Sequence, residues 1–460
     1  MIKKLAWLAA IFISLPAFAQ FQLPGGVREG TPQTRPEVPF RSELEWSWAY
    51  GSDSELTYRR DQDLDKARRD NWSLFAPTFF GFLDWRPNSW FSSRLEATLE
   101  VPISIQEEAT VILPDGTVVP KTKYRTSVLI DQLYGTIKPT SDLELTLGRR
   151  NFEDPRLWLY DAALDAAIVG FKLADFRTEV SMSRENLVDA DLLVNVPRGR
   201  VNNFIWYTEY RGFEDHKPAF YAIKRNDRTP AEGNFWMAGV RLMGRPRDEF
   251  NYWFDYGFNR GRDELNQKLR GSAYDVGGTY RWAKLPLSPA LTLGYARGTG
   301  DGNPNDGQNH EFRQTGLQSN ETRFAGLTQF KRYGETIDPE ISNLKIFTAG
   351  IGFRVAPQVF VDVVHHRYKL NAIADQIRNW ALTAQMNQDD TALSRDVGHE
   401  TDIILGFRNL FGIRRLGFEV RAGLFKPGRA FRNVDPAGDP DNPTFRPANK
   451  SLSVLAVLIY

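Results

Sequence analysis

The chain contains no cysteine, so neither a disulfide scaffold nor a thiolate-held metal is open to it. It has no excess of either charge: 58 Lys and Arg stand against 57 Asp and Glu. That balance removes any global attraction to nucleic acid and leaves electrostatic function to where the charges sit. No apolar run reaches the ~20 residues that a membrane-crossing helix needs. The longest, Leu5 to Leu15, falls well short. Nor is there a phosphate-cradling glycine loop or a paired-histidine zinc motif. Only five histidines occur, and His365 and His366 are adjacent. On a strand their rings point to opposite faces, which is poor geometry for one metal. The Asp301 to Asp306 stretch offers oxygen ligands without the spacing or closing Glu of a calcium loop. No Ser-His-Asp arrangement can be argued. Catalytic residues, metal ligands and cofactors are therefore not expected.

What is present is export and alternation. Lys3 and Lys4 precede the Leu5 to Leu15 run, Pro16 ends it, and Ala17-Phe18-Ala19 offers small residues for cleavage. This predicts a secretory signal peptide over residues 1–19. Residues 20–39, rich in Pro, Gly and Gln, are expected to form a periplasmic lead-in without regular structure. From residue 40 to 460 apolar residues recur with period two. Phe250, Tyr252, Phe254, Tyr256 and Phe258 alternate with Asn251, Trp253, Asp255, Gly257 and Asn259; Leu143, Leu145 and Leu147 alternate with polar residues likewise. A soluble sandwich and a membrane barrel share this pattern, but loop lengths separate them. Tight turns at residues 86–89, 138–141, 174–175, 213–218, 244–248, 284–288, 355–357 and 411–414 alternate with longer polar segments at 52–71, 106–123, 151–164, 185–200, 226–233, 261–272, 300–341, 371–398 and 427–450. Short turns on one side and long loops on the other mark an outer-membrane barrel. Seventeen connections predict an all-β, transmembrane antiparallel barrel of 18 strands over residues 40–460, with 16 or 20 if a hairpin is merged or missed. The last strand, Ser451 to Tyr460, puts Leu452, Val454, Ala456, Leu458 and Tyr460 on one face and ends on an aromatic. It is expected to close on the first strand.

Two loop segments concentrate charge. One packs Arg149, Arg150 and Arg156 beside Asp154, Asp161 and Asp165; the other, Arg313 to Glu335, carries Arg313, Arg323, Lys331 and Arg332 among Gln and Asn. They read either as loop charges paired for solubility or as an inward-folded loop that narrows a pore with guanidinium groups. Arginine suits the second task because it stays charged and grips carboxylates through two parallel hydrogen bonds.

The same segments resemble the alginate-export outer-membrane porin family. The motifs are Gly148-Arg149-x-x-Phe152-x-Asp154-x-Arg156-x-Trp158-Leu159-Tyr160-Asp161 with Leu164-Asp165, then Arg313 to Glu335 with Pro339-Glu340-x-Ser342-Asn343-Leu344, and Val363 to Asn371. The resemblance runs from about residue 40 to the C-terminus. It implies a monomeric 18-stranded barrel in the cell outer membrane that passes an anionic polyuronate outward without catalysis. It also implies a constriction lined by Arg and Lys with a few Asp. Arg323 and Arg332 match two basic positions; Arg150, Arg156, Lys331, Asp161 and Asp191 complete the expected set. Outer-membrane lipid and lipopolysaccharide are expected as surroundings, periplasmic secretion proteins as partners, and no nucleic acid. The family can carry a long periplasmic turn over the pore, whereas the turn after Leu410 reads as short. Two other functions stay open: a general or other-sugar porin, and a barrel enzyme acting on outer-membrane lipid.

Overall fold

A computed structural model describes residues 45–460, apart from 66–69, 107–110, 113–117, 120–123, 195–200, 228–232, 304, 380, 385, 387–392 and 435–444. The predicted signal peptide and lead-in lie outside the described residues. The barrel strands are β1 Glu45–Arg60, β2 Trp72–Arg86, β3 Phe91–Glu100, β4 Ser127–Ile137, β5 Leu143–Glu153, β6 Asp161–Leu173, β7 Phe176–Arg184, β8 Val201–Tyr210 and β9 His216–Asp227. They continue as β10 Asn234–Arg247, β11 Phe250–Arg262, β12 Ser272–Arg281, β13 Ala290–Gly298, β14 Leu344–Ala356, β15 Val359–Leu370, β16 Asp396–Phe407, β17 Gly417–Pro427 and β18 Ser451–Ile459. Each is antiparallel to its neighbours, and β18 pairs with both β17 and β1. The 18-strand barrel is therefore closed on itself. Closure is compulsory in a bilayer, where unpaired backbone groups find no water.

The faces follow from the alternation. On β11, Phe254 and Tyr256 are exposed while Asp255 is fully buried and Trp253 lines the lumen. In a soluble protein that distribution would be inverted; here the apolar face meets lipid and the polar face points into the lumen. Connections alternate as expected, short at one end and long at the other, so the long ones lie on the outer side. Two predicted loops are shorter than their polarity suggests. β1 continues through Ser54 to Arg60, paired with β2 and β18, and the 151–164 segment shrinks to residues 154–160 because β5 and β6 stay laddered as far as the Glu153↔Asp161 pair. Polar residues extend a strand above the membrane as readily as they form a loop. The turn between β16 and β17, residues 408–416, is short.

The lumen holds the apolar core. The connections 154–160 and 299–343 fold inward, bringing Trp158, Leu159, Phe312, Ile337 and Ile341 against lumen-facing Ile168, Ile205, Tyr221, Met237 and Tyr368. Trp158 stacks on Phe312 with ring centroids 6.1 Å apart. These inward connections form a plug.

Candidate functional site

A cavity of about 2310 Å³ occupies the lumen below the plug. Its mouth is set by turn-side residues such as Arg86, Asp215, Arg245 and Arg414; its inner end is set by Asp154, Arg156, Glu321, Arg323 and Arg332. Carboxylates and cations line it in similar numbers, so the distinction between paired and unpaired charge decides its electrostatics.

The 154–160 connection is shaped by one carboxylate. Asp154 Oδ1 accepts hydrogen bonds from the Leu159 and Tyr160 N–H groups at 2.6 and 3.0 Å, and Oδ2 accepts from the Arg156 N–H at 3.0 Å. Burial works to raise the Asp154 carboxyl, but the Arg241 guanidinium and these N–H donors outweigh it and hold it below its ordinary value. The turn then delivers Arg156 into a buried ionic cluster. Arg156 bonds Asp255 and, at 2.8 Å, Asp275; Arg241 bonds Asp154 and, at 2.5 Å, Asp255. Tyr333 donates to Asp275 at 2.8 Å and receives the Trp158 indole N–H at 3.1 Å. The cluster thus ties both inward connections to β10, β11 and β12.

Of the seven residues expected at a constriction, five border the cavity: Arg150, Arg156, Asp161, Arg323 and Arg332. Two do not. Lys331 is engaged by Asp338 at 3.2 Å and Glu321 at 3.6 Å within the plug. Asp191 lies away from the lumen cavity, buried on the β7–β8 connection, where it accepts the Leu193 N–H at 2.9 Å. Arg156 borders the cavity but is buried and fully committed to Asp255 and Asp275. Arg150 pairs with Glu179 at 3.5 Å.

Arg323 and Arg332 differ from these. Arg323 Nη2 donates to the Gln329 side chain at 3.0 Å; Arg332 Nη2 donates to the Arg156 and Glu321 carbonyl oxygens at 2.5 and 3.0 Å. Among the described residues neither has a carboxylate within ion-pairing distance, and the Nε of each is buried without a partner. Burial and the neighbouring Arg156 push the Arg332 guanidinium down to about 10, so it remains charged at neutral pH. Sequence reasoning missed Arg241, Asp255 and Asp275. Their signal was a charge in lumen phase on a strand, which the 250–258 alternation already displayed for Asp255.

A family model described as alginate export matches residues 37–443. The alginate production protein AlgE of Pseudomonas aeruginosa is 28% identical over 218 residues, which are 45% of this chain and 42% of that protein. AlgE of Azotobacter vinelandii is 26% identical over 174 residues, 35% of each chain. The matched stretches thus span less than half the length of these relatives. Among solved structures, OccAB1 of Acinetobacter baumannii superposes with a TM-score of 0.58 at 10% identity, over 91% of this chain and 97% of that one. OccK11 of Pseudomonas aeruginosa gives 0.55 at 11%, over 94% and 100%. These structural likenesses concern the barrel alone. With a family model spanning most of its length, the chain belongs to the alginate export family and is an outer-membrane β-barrel.

Proposed function

We propose that the protein is a passive, anion-selective channel that exports a polyuronate of the alginate type. Family membership supports the polymer class. The observation that carries the selectivity is the pair of unneutralised guanidiniums, Arg323 and Arg332, where the cavity meets the plug. Other lumen arginines, such as Arg94 and Arg156, are balanced by carboxylates on neighbouring strands. A low-dielectric wall focuses the field of the remaining charges across a narrow lumen. At ~4 Å and an effective dielectric near 20, one contact between unit charges is worth about 4 kcal/mol before screening. Retaining ~1.4 kcal/mol of that changes permeability about tenfold. Spacing the cations along the path, rather than deepening one site, lets a polymer advance by exchanging carboxylates between them.

The test is the reversal potential in planar bilayers. Arg323→Glu combined with Arg332→Gln should abolish anion preference and the block of current by oligouronates. Lys284→Glu, on the exposed β12–β13 turn, should do neither. Arg225 would be an unsuitable control because it sits on β9 and bonds the Thr315 carbonyl inside the barrel. An unchanged reversal potential in the double variant would show that these arginines do not set selectivity.

A further inference from the structure

The barrel wall is not uniformly sealed. β4 and β5 are laddered over five residue pairs only, Leu133↔Arg149 to Ile137↔Leu145. Every other pair of neighbouring barrel strands has at least eight. Gly148 causes the parting. Its φ is +125°, and a Cβ there would collide with the Leu133 carbonyl oxygen. β5 turns away beyond it and stays with β6. At ~3.3 Å per residue and a tilt near 40°, the ladder climbs roughly 10 Å before it ends. The seam therefore starts near mid-membrane and runs through the outer leaflet.

A strap from the β7–β8 connection fills the gap. Ile130 N–H donates to the Ala190 carbonyl and Leu192 N–H to the Val128 carbonyl, both at 2.8 Å. The strap is latched by a buried ion pair: Arg149 binds Asp165 through two bonds of 2.9 and 2.8 Å and donates to the Val188 carbonyl at 2.6 Å, while Asp165 accepts the Val188 N–H at 3.0 Å. Val188 and Leu192 are exposed, continuing the apolar surface of Leu133 and Leu147. On the inner side Gln132, Arg150 and Asn151 line the lumen cavity.

We propose that this seam is a lateral portal between the lumen and the outer leaflet, latched by the strap, and that it takes a fatty carboxylate. The argument is independent of polyuronate transport. A molecule lying across the seam meets apolar side chains outside and polar ones inside, so it must be amphipathic. Lifting the strap frees two donors, the Ile130 N–H and one N–H of Arg149 Nη2, and two acceptors, the Val128 carbonyl and Asp165 Oδ2. The charged Arg149 donor makes the strongest of these bonds, which fits a carboxylate head.

Leu129 and Asp191 form the bridge between β4 and the strap. The flanking hydrogen bonds leave them as a close, non-hydrogen-bonded pair at ~4.5 Å between Cα atoms, within reach of a disulfide. Leu129→Cys with Asp191→Cys in this cysteine-free chain should lock the strap. The mature protein in lipid nanodiscs is titrated with cis-parinaric acid, read by fluorescence. The reduced variant should bind saturably, and the oxidised form at least about tenfold more weakly. Asp165→Asn weakens the latch by removing the charge that holds both Arg149 and the Val188 N–H, keeps the Arg149 guanidinium for the head, and should bind about tenfold more tightly than the unsubstituted protein. Equal affinity in the oxidised and reduced forms overturns the portal and makes the strap a fixed part of the wall. So does equal affinity in the unlatched and unsubstituted proteins, or no saturable binding in any form.

Discussion

At the scale of single residues, the lumen is governed by which charges have partners. Arg241 is fully buried between Asp154 and Asp255. Removing one member of such a cluster leaves the others uncompensated, at a cost of about 3–5 kcal/mol. Arg241→Met should therefore lower the guanidinium midpoint of unfolding in detergent micelles; a midpoint within error of the unsubstituted protein would mean the cluster is hydrated rather than mutually dependent. Glu335 offers a pH test. Burial pushes it up to about 7, against the opposing pull of Arg421. Its folded pKa thus exceeds its unfolded value of roughly 4.3. The stability it contributes is complete below the unfolded value and is lost as pH rises through the folded one. Glu335→Gln, which still accepts the Lys331 N–H bonded now at 2.7 Å, should match the unsubstituted protein near pH 4 and exceed its thermal stability near pH 8. Identical melting at both pH values would contradict the shifted ionisation.

At the scale of elements, β18 is the seal. Its ladder with β1 runs from Arg60↔Leu452 to Asp53↔Ile459, and Tyr460 adds two backbone bonds with Ser52, at 2.8 and 2.9 Å. Gly51 stands beside this end because a Cβ there would press on Phe80 and on the Tyr460 carbonyl. Deleting Tyr460 unpairs the Ser52 N–H and C=O at the closing edge, where no water replaces them cheaply. Assembly into the outer membrane, measured as the heat-modifiable fraction on gels, should fall, while channels that do assemble keep their conductance. Full assembly of the shortened chain would mean that eight β1–β18 pairs suffice for closure.

For the whole molecule, the barrel separates two solvents. The lipid-facing surface is apolar and is blind to salt, whereas the lumen cavity is lined by charge. The Debye length shrinks from ~10 Å at 0.1 M to ~3 Å at 1 M. If anion preference comes from Arg323 and Arg332, reversal-potential measurements should show it fading steeply over that range. A preference that persists at 1 M would point instead to direct, desolvated binding contacts.

The architecture was legible in the sequence because a barrel strand has one apolar and one polar face, so residues such as Phe250 to Phe258 display their environment locally. Turn and loop lengths then supplied the strand count without any knowledge of contacts. Strand ends were less legible: Ser54 to Arg60 are polar, and only pairing with β2 and β18 shows them to be strand. The site was legible in part. Arg323 and Arg332 were identifiable by motif, but so were Arg156 and Lys331, and nothing local distinguishes a guanidinium or ammonium group that is free from one that is neutralised. That difference depends on Asp255 and Asp275, about a hundred residues away along the chain from Arg156, and on Asp338 folding back to Lys331. Periodicity is a property of neighbours in sequence, so the sequence alone determined the barrel. Charge pairing is a property of neighbours in space, so only the tertiary structure decided which cations are paired with carboxylates and which are not.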